Sequence, residues 1–242
     1  MNQREAVIHV MTENGGYATL KHLYEHTLKV PGVKWKTKTP FASIRRIVQD
    51  EKYFFKIRPG LWALHEYKDK IPFSGDIKED APKKKQDEFS HSYFQGILVE
   101  IGNLQGFATF VPHQDKNRMY LEKPLHEVAS LSSIYTFSYD RVVGIAQTVD
   151  VSWFNERKMP DTFIEIEHST NFLNSFVKFV ELRDFNANFM IAAPETRERE
   201  FISKLSRSAF ESIKQRVRFL NYERVSSLHS AISEKIAIEQ NL

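Results

Sequence analysis

Residues 163–170, with the sequence FIEIEHST, decide the fold of this chain. The apolar positions of the stretch indicate a buried strand, yet it also carries three residues that a core strand rarely holds, Glu165, Glu167 and His168. Because successive side chains of a strand point to opposite faces, the two glutamates share one face, and the isoleucines beside them point into the core on the other. The stretch therefore predicts two carboxylates in one site.

A third acid lies on the preceding apolar run, VDVSWF at 149–154. The turn-like segment NERKMPD separates the two runs, so together they predict an antiparallel hairpin in which Asp150 lies beside Glu165. Clustered carboxylates repel one another at neutral pH, and a bridging divalent cation relieves that repulsion. Oxygen ligands favour Mg²⁺ or Mn²⁺ over zinc. Plain solvation of glutamates on a half-exposed strand is the alternative explanation.

The composition narrows the class of protein. With 242 residues, 41% of them hydrophobic, the chain can bury a sizeable core. It has no cysteine, which excludes disulfides, zinc-cysteine sites and thiol catalysis. It has neither a leader-like start nor an apolar run of about 18 residues, so we expect a soluble cytoplasmic protein without a membrane partner. The common nucleotide-binding, serine-hydrolase and zinc-protease motifs are absent from the sequence.

Charge is distributed unevenly along the chain. Residues 1–65 hold 11 Lys and Arg against 5 Asp and Glu, whereas the remainder holds 23 of the 34 basic and 26 of the 31 acidic residues. Residues 66–88 are rich in charge and lack apolar periodicity, which predicts a linker. The sequence thus predicts a basic domain at 1–65, typical of nucleic-acid binding, and a second domain at 89–242.

The basic domain shows the order helix, helix, helix, hairpin, which is typical of a winged helix-turn-helix. Its stretches GGYATLKHLYEHTL, TPFASIRRIVQD and FFKIRPGLWAL resemble the HARE-type helix-turn-helix, which occurs beside restriction endonuclease domains and in chromatin proteins. The functional interpretation gives double-stranded DNA as the partner, contacted by Lys34, Lys36, Lys38, the recognition-helix residues Arg45 and Arg46, and Arg58 at the wing tip. A protein-binding winged helix with a solvated basic face is the alternative.

The second domain is predicted to be α/β. Its sequence indicates a helix at about 89–102, a strand at FATFVP, the hairpin, a helix at 171–183, a strand at FMIAAP, a long charged helix from Thr196 to about Gln215 and a strand at VRFLNYERV. This order predicts a mixed sheet flanked by helices, preceded by the mainly α winged-helix domain.

The strings VDVSWF and FIEIEHST resemble the core of the PD-(D/E)XK restriction-endonuclease-like superfamily, in a branch with a Glu-x-Glu-His-Ser/Thr motif. The likeness in element order extends from about residue 89 to the end of the chain. It implies a restriction-endonuclease-like sheet, metal binding by Asp150, Glu165 and Glu100, and catalysis by Asp150, Glu165, Glu167 and His168. Glu167 departs from the family pattern, because most members have at that position a lysine that activates the attacking water.

These observations predict a sequence-selective, Mg²⁺- or Mn²⁺-dependent DNA endonuclease of the type II restriction or defence class. Cutting both strands requires a homodimer or two successive cuts, and the sequence leaves both open. Two alternatives stay open as well. One is a DNA-binding protein whose nuclease-like domain is catalytically inactive, which the missing lysine favours. The other is a scaffold whose winged helix binds protein.

Overall fold

The computed structural model describes residues 1–78 and 81–240. The chain divides into two compact units, with boundaries after Pro82 and after Val225. The first unit contains the start of the chain and the residues from Ser226 on, and the second contains Lys83–Val225. Within the described ranges no helix is both long and apolar enough to cross a membrane.

The N-terminal part of the first unit combines three longer helices, one short helix and a small sheet. In chain order its elements are α1 (Gln3–Glu13), β1 (Tyr17–Thr19), α2 (Leu20–His26), α3 (Pro40–Ile47), β2 (Phe54–Arg58), β3 (Leu61–Leu64) and α4 (Ser74–Ile77). The strands form an antiparallel sheet of order β1-β3-β2. The predicted order of three helices and a hairpin is therefore present, and the three-residue strand β1 is an addition to it.

The second unit is built on a five-stranded sheet, beside which a two-stranded sheet also forms. In chain order its elements are α5 (Lys83–Leu104), β4 (Ala108–Phe110), β5 (Met119–Tyr120), β6 (Lys123–Pro124), α6 (Leu125–Val128), α7 (Asp140–Ala146), β7 (Val151–Phe154), β8 (Pro160–Ile166), α8 (Phe172–Glu181), β9 (Asn188–Ala193), α9 (Glu198–Leu205), β10 (Val217–Asn221) and α10 (Tyr222–Glu239), whose later residues belong to the first unit. The five-stranded sheet has the order β10-β9-β8-β7-β4, and β8 is its central strand, while β5 and β6 form the two-stranded sheet. Strand β8 runs antiparallel to β7 and parallel to β9. The mixed sheet among helices confirms the predicted α/β fold class.

Aromatic side chains fill the core around β8. Phe163 of β8 stacks on Phe189 of β9, and Phe179 of α8 packs on the same ring with the centroids 4.9 Å apart. Glu165 lies two residues beyond Phe163 on the same face of β8, so its carboxylate points to the side on which α8 packs. Glu165 and Glu167 are only 4% and 5% exposed. Solvation of a half-exposed strand therefore does not explain them.

Helix α10 contributes to the core of the first unit through small side chains. Ala237 belongs to that core, and the hydroxyl of Ser230 lies 2.9 Å from the hydroxyl of Tyr24 in α2. The other small residues that α10 buries are Ser226 and Ser233. Serines do not register as an apolar stripe, which explains why the predicted domain at 1–65 did not include this helix.

Three segments differ from the sequence-based predictions. The strand predicted at VRFLNYERV ends at Asn221, and its last four residues begin helix α10. The long helix predicted from Thr196 to about Gln215 is wrong, because α9 ends at Leu205 and the chain then turns so that Phe210 packs on Phe176 in the core. The predicted linker at 66–88 contains α4 and the first residues of α5. The first turns of α5 carry charge on all sides, so they lack the periodicity that marks a helix in the sequence.

Candidate active site

An open cleft of about 670 Å³ lies where β8 ends. The four residues predicted to be catalytic all line it, namely Asp150, Glu165, Glu167 and His168. Val151 pairs with Ile164 across the hairpin, and this register places Asp150 beside Glu165. The backbone N–H of Ile166 donates to Asp150 Oδ2 at 2.7 Å, which fixes the aspartate at the strand end.

Glu165 of β8 and Glu167, the residue that follows the strand, both contact helix α8. The hydroxyl of Ser175 lies between the two carboxylates, 3.1 Å from Glu165 Oε2 and in contact with Glu167 Oε1, so that its one hydrogen is shared between them. Glu167 also accepts a hydrogen bond from the hydroxyl of Thr170. The predicted common face of the two glutamates is thus present, and hydroxyl donors hold each carboxylate in place.

Lys178 brings a positive charge to this cluster. Its Nζ lies 2.8 Å from Glu165 Oε1 and donates to the carbonyl of Thr148 at 2.8 Å. Lys178 lines the cleft and follows Ser175 by three residues, so both side chains lie on the face of α8 that meets β8. Projecting α8 onto a helical wheel would have revealed this pair, but the motif-based prediction did not include either residue.

A second group of polar residues surrounds Asp150. His91 of α5, Asp115 and Asp150 each offer a ligand atom, and the three atoms lie within 4.8 Å of one another. Gln95, one helical turn after His91, donates through Nε2 to Asp115 Oδ2 at 3.2 Å and to the Asp150 carbonyl at 2.8 Å. No strand or helix pattern in the sequence joins Asp115 to Asp150, so this group was not predicted.

Glu100 does not join the other predicted metal ligands. Within the described residues that line the cleft, α5 contributes His91 but not Glu100. Glu100 accepts a hydrogen bond from the hydroxyl of Tyr120 at 3.0 Å. Nine residues separate it from His91, which corresponds to about half a turn around the helix and places it on the opposite face. The structure therefore gives no support to Glu100 as a metal ligand.

His168 lies at the edge of the cleft with both ring nitrogens engaged. Its Nε2 lies 3.2 Å from Asp87 Oδ1, and its Nδ1 lies 3.2 Å from the hydroxyl of Tyr222, on whose ring it also stacks. Ser169 donates to the other oxygen of Asp87 at 3.0 Å. Asp87 falls in the predicted linker, so its contact with His168 was not foreseen. These contacts orient the imidazole beside the acids.

Burial changes the protonation of the central groups. It raises the pKa of Asp150 to about 7, although the N–H of Ile166 acts in the opposite direction. Burial, followed by the neighbouring Asp150, raises the pKa of Glu165 to about 8, and Lys178 opposes this rise. Burial also lowers the pKa of His91, so its imidazole is neutral at pH 7. Without a cation, the site holds protons that a bound cation would displace.

We expect the metal-free protein to lose stability as the pH rises. A carboxyl whose folded-state pKa lies above its unfolded value favours folding at low pH, and this contribution is lost as the pH rises through the folded pKa. For Asp150 and Glu165 the window runs from the ordinary values of 3.8 and 4.5 to about 7 and about 8. Thermal unfolding in EDTA between about pH 5 and about pH 9 measures the effect. Asp150→Asn and Glu165→Gln should each flatten the profile, and unchanged profiles in both variants would contradict the prediction.

The basic residues predicted to contact DNA lie in the first unit. Lys34, Lys36 and Lys38 are exposed and alternate along the loop before α3 with half-buried residues. Arg58 ends β2, next to the turn at Pro59 and Gly60. The two arginines of α3 diverge, because adjacent helical residues point about 100° apart. Arg46 is exposed, whereas Arg45 donates to the Tyr24 hydroxyl at 2.9 Å and pairs with Glu234 of α10.

The residues that line the cleft fall within the stretch of the chain that matches a known family model. The family model of the type II restriction enzyme NmeDI C-terminal domain matches residues 72–240. The type II restriction enzyme NmeDI of Neisseria meningitidis serogroup C is 24% identical over 150 residues, which make up 58% of this chain and 42% of the relative. The chain thus aligns with less than half of that enzyme's length. No solved structure matches significantly. Because the family model covers more than half of the chain, the protein belongs to the family of the type II restriction enzyme NmeDI C-terminal domain.

Proposed function

We propose that this protein is a metal-dependent DNA endonuclease, of the restriction or defence class, that hydrolyses phosphodiester bonds at sites it selects. The observation that carries the proposal is the pair of buried carboxylates, Asp150 and Glu165, side by side in an open cleft. Two buried acids side by side are costly when one ammonium, that of Lys178, contacts only Glu165, and such clusters are typical of functional sites. The similarity to a type II restriction enzyme supports the same class of reaction.

Asp150 and Glu165 would hold a divalent cation, with Mg²⁺ or Mn²⁺ as the expected metal. The donor set fits, because hard carboxylate oxygens suit these ions and the chain has no cysteine. A cation bound there would polarise a phosphoryl oxygen and would lower the pKa of an attacking water. The N–H of Ile166 keeps Asp150 in place, and Ser175 keeps Glu165 in place. These contacts orient the two ligands before the metal arrives.

The other side chains of the cleft would stabilise charge and transfer protons. We assign to Lys178 the stabilisation of charge that develops on the phosphate, since it is the ammonium in contact with the ligand Glu165. Glu167 lies beside the pair and can accept a proton from water or add a ligand. His168, oriented by Asp87 and Tyr222, is placed to donate a proton to a leaving oxygen or to position DNA.

The proposal extends to DNA binding by the first unit. The order of its helices and strands fits the winged helix-turn-helix of the HARE type, and the fold of the second unit fits the PD-(D/E)XK assignment. The exposed cations Lys34, Lys36, Lys38 and Arg46 would contact phosphates or base edges. Cutting of both strands would require a homodimer or two successive cuts.

We expect Arg46→Ala to weaken DNA binding more than Arg45→Ala does. Arg46 is exposed, whereas the guanidinium of Arg45 is bonded to Tyr24 and Glu234. Loss of one phosphate contact should reduce the slope of log affinity against log salt by about 1. Arg45→Ala should instead lower the melting temperature, because it removes a contact between α3 and α10. Titrations of labelled duplex DNA over a range of salt concentrations give both values. Equal slopes in the two variants would contradict the assignment.

An inactive, DNA-binding form is the second candidate, and the glutamate at 167 in place of a lysine favours it. The test that separates the two is incubation of the purified chain with mixed-sequence duplex DNA in Mg²⁺, Mn²⁺ or EDTA. Cutting that requires the metal supports the endonuclease. Binding without cutting in either metal, on DNA diverse enough to contain a recognition site, would support the inactive form.

A further inference from the structure

Beside the proposed catalytic pair lies a second set of metal-ligand atoms. His91 comes from α5, Asp115 from the segment between β4 and β5, and Asp150 is the residue just before β7. Among the described residues, these three form the one group of at least three His, Asp or Glu side chains whose ligand atoms all lie within 4.8 Å of one another. Asp115 and Asp150 are buried, while His91 is half-buried and lines the cleft.

The group is held in place by neighbouring side chains. The amide of Gln95, which is fully buried, joins Asp115 Oδ2 to the carbonyl of Asp150, and Arg118 Nε lies 2.9 Å from Asp115 Oδ1. Each carboxylate oxygen has two lone pairs, so both contacts leave Asp115 able to bind a cation. Such support by neighbouring hydrogen bonds is typical of metal ligands.

One atom of this arrangement lacks a partner. The Oε1 of Gln95 is buried and has no hydrogen-bond partner. A buried carbonyl without a donor costs free energy, and such an orphan in a folded protein points to an absent water or ion. A cation bound beside Gln95 would bring coordinated water, whose hydrogens are the donors that this oxygen lacks. Oxygen Oε1 therefore points to a ligand independently of the three metal-ligand atoms.

We propose that His91, Asp115 and Asp150 bind a divalent first-row transition-metal ion, separate from the cation at Asp150 and Glu165. Imidazole suits transition metals, and carboxylates suit Mg²⁺ and Mn²⁺, so the mixed set favours ions that accept both ligand types. This second site adds a metal ion to the proposed nuclease centre. It depends on the proposed function only because the two sites share Asp150. Bound there, the ion adds positive charge next to the proposed catalytic cation.

Pulsed electron paramagnetic resonance of Mn²⁺ bound to the full chain tests this site. An imidazole ligand gives the Mn²⁺ a resolved ¹⁴N coupling, which carboxylates and water do not. We expect this coupling in the native chain and in Glu165→Gln, and its loss in His91→Ala. His113→Ala is the matched control, because His113 is exposed in the same unit and should leave the signal unchanged. Asp115→Asn should reduce the fraction of Mn²⁺ that shows the coupling.

The spectrum of the native chain decides the test even if a variant fails to fold. No ¹⁴N coupling in the native chain, or an unchanged coupling in folded His91→Ala, would overturn the inference. Loss of the coupling in folded Glu165→Gln would overturn the independence of the two sites. DNA cutting is measured separately. Cutting that needs Asp150 and Glu165 without any ¹⁴N coupling would refute the second site alone, and coupling without cutting would refute the proposed function alone.

Discussion

Metal-dependent cutting of DNA should fall by at least about a thousandfold in Asp150→Asn and in Glu165→Gln, because a catalytic cation contributes several kcal/mol of charge stabilisation and each 1.36 kcal/mol is a factor of ten. Both substitutions keep the shape of the side chain and remove its charge. Asparagine at 150 can still accept the hydrogen bond from Ile166 N, and glutamine at 165 can still accept the one from Ser175. The loss should therefore come from metal binding rather than from misfolding. Cleavage rates in saturating Mg²⁺ and Mn²⁺, with melting temperatures of each variant, measure it.

Glu100→Gln is the matched control for this pair. It removes one carboxylate from the same unit, at a position that faces away from the cleft and contacts Tyr120. We expect cutting at close to the native rate. A loss in Glu100→Gln as large as that in Glu165→Gln would restore Glu100 as a ligand and contradict the geometry. Native rates in Asp150→Asn would remove the assignment of the metal site itself.

The strand pattern explains why the centre of the site was predictable. Alternation across β8 places Glu165 and Glu167 on one face, and the short turn of the hairpin fixes Asp150 opposite Glu165. Both inferences depend on local geometry, because the separation of two residues along a strand or hairpin determines how far apart their side chains lie. The fold class followed for the same reason, because the order of helices and strands limits the sheets that can form.

Other residues of the site depend on contacts between distant parts of the chain. Asp115 lies in a segment without a regular pattern, and Asp87 lies in turns of α5 that carry charge on all sides. Their neighbours, Gln95 for Asp115 and His168 for Asp87, are 20 and 81 residues away along the chain. The position of Glu100 has a local reason, since the helical period places it on the face of α5 opposite His91. A single sequence carries no pattern that indicates contacts between residues so far apart along the chain. These contacts are therefore seen only in the folded structure.

Lys178→Met should lower the rate of DNA cutting by about a hundredfold to a thousandfold, the loss typical of removing one donor that stabilises a transition state. The ammonium of Lys178 lies 2.8 Å from Glu165 Oε1, where it can reach a phosphate bound at the same cation. Lys178 of helix α8 would thus supply the positive charge that a lysine at position 167 would otherwise provide. Because Lys178 also competes with a cation for Glu165, its loss should leave Mn²⁺ affinity unchanged or tighter. Single-turnover cleavage and Mn²⁺ titration measure the two effects separately.

This division between rate and affinity separates a catalytic lysine from a structural one. A lysine that only neutralises Glu165 would affect stability and metal affinity without slowing the chemical step at saturating metal. Lys178→Arg keeps the charge and should recover part of the rate. Lys204→Met is the matched control, because Lys204 of α9 pairs with Glu200 instead and should leave the rate unchanged. A native cleavage rate in folded Lys178→Met would contradict this assignment, because it would show that cutting does not need an ammonium beside Glu165.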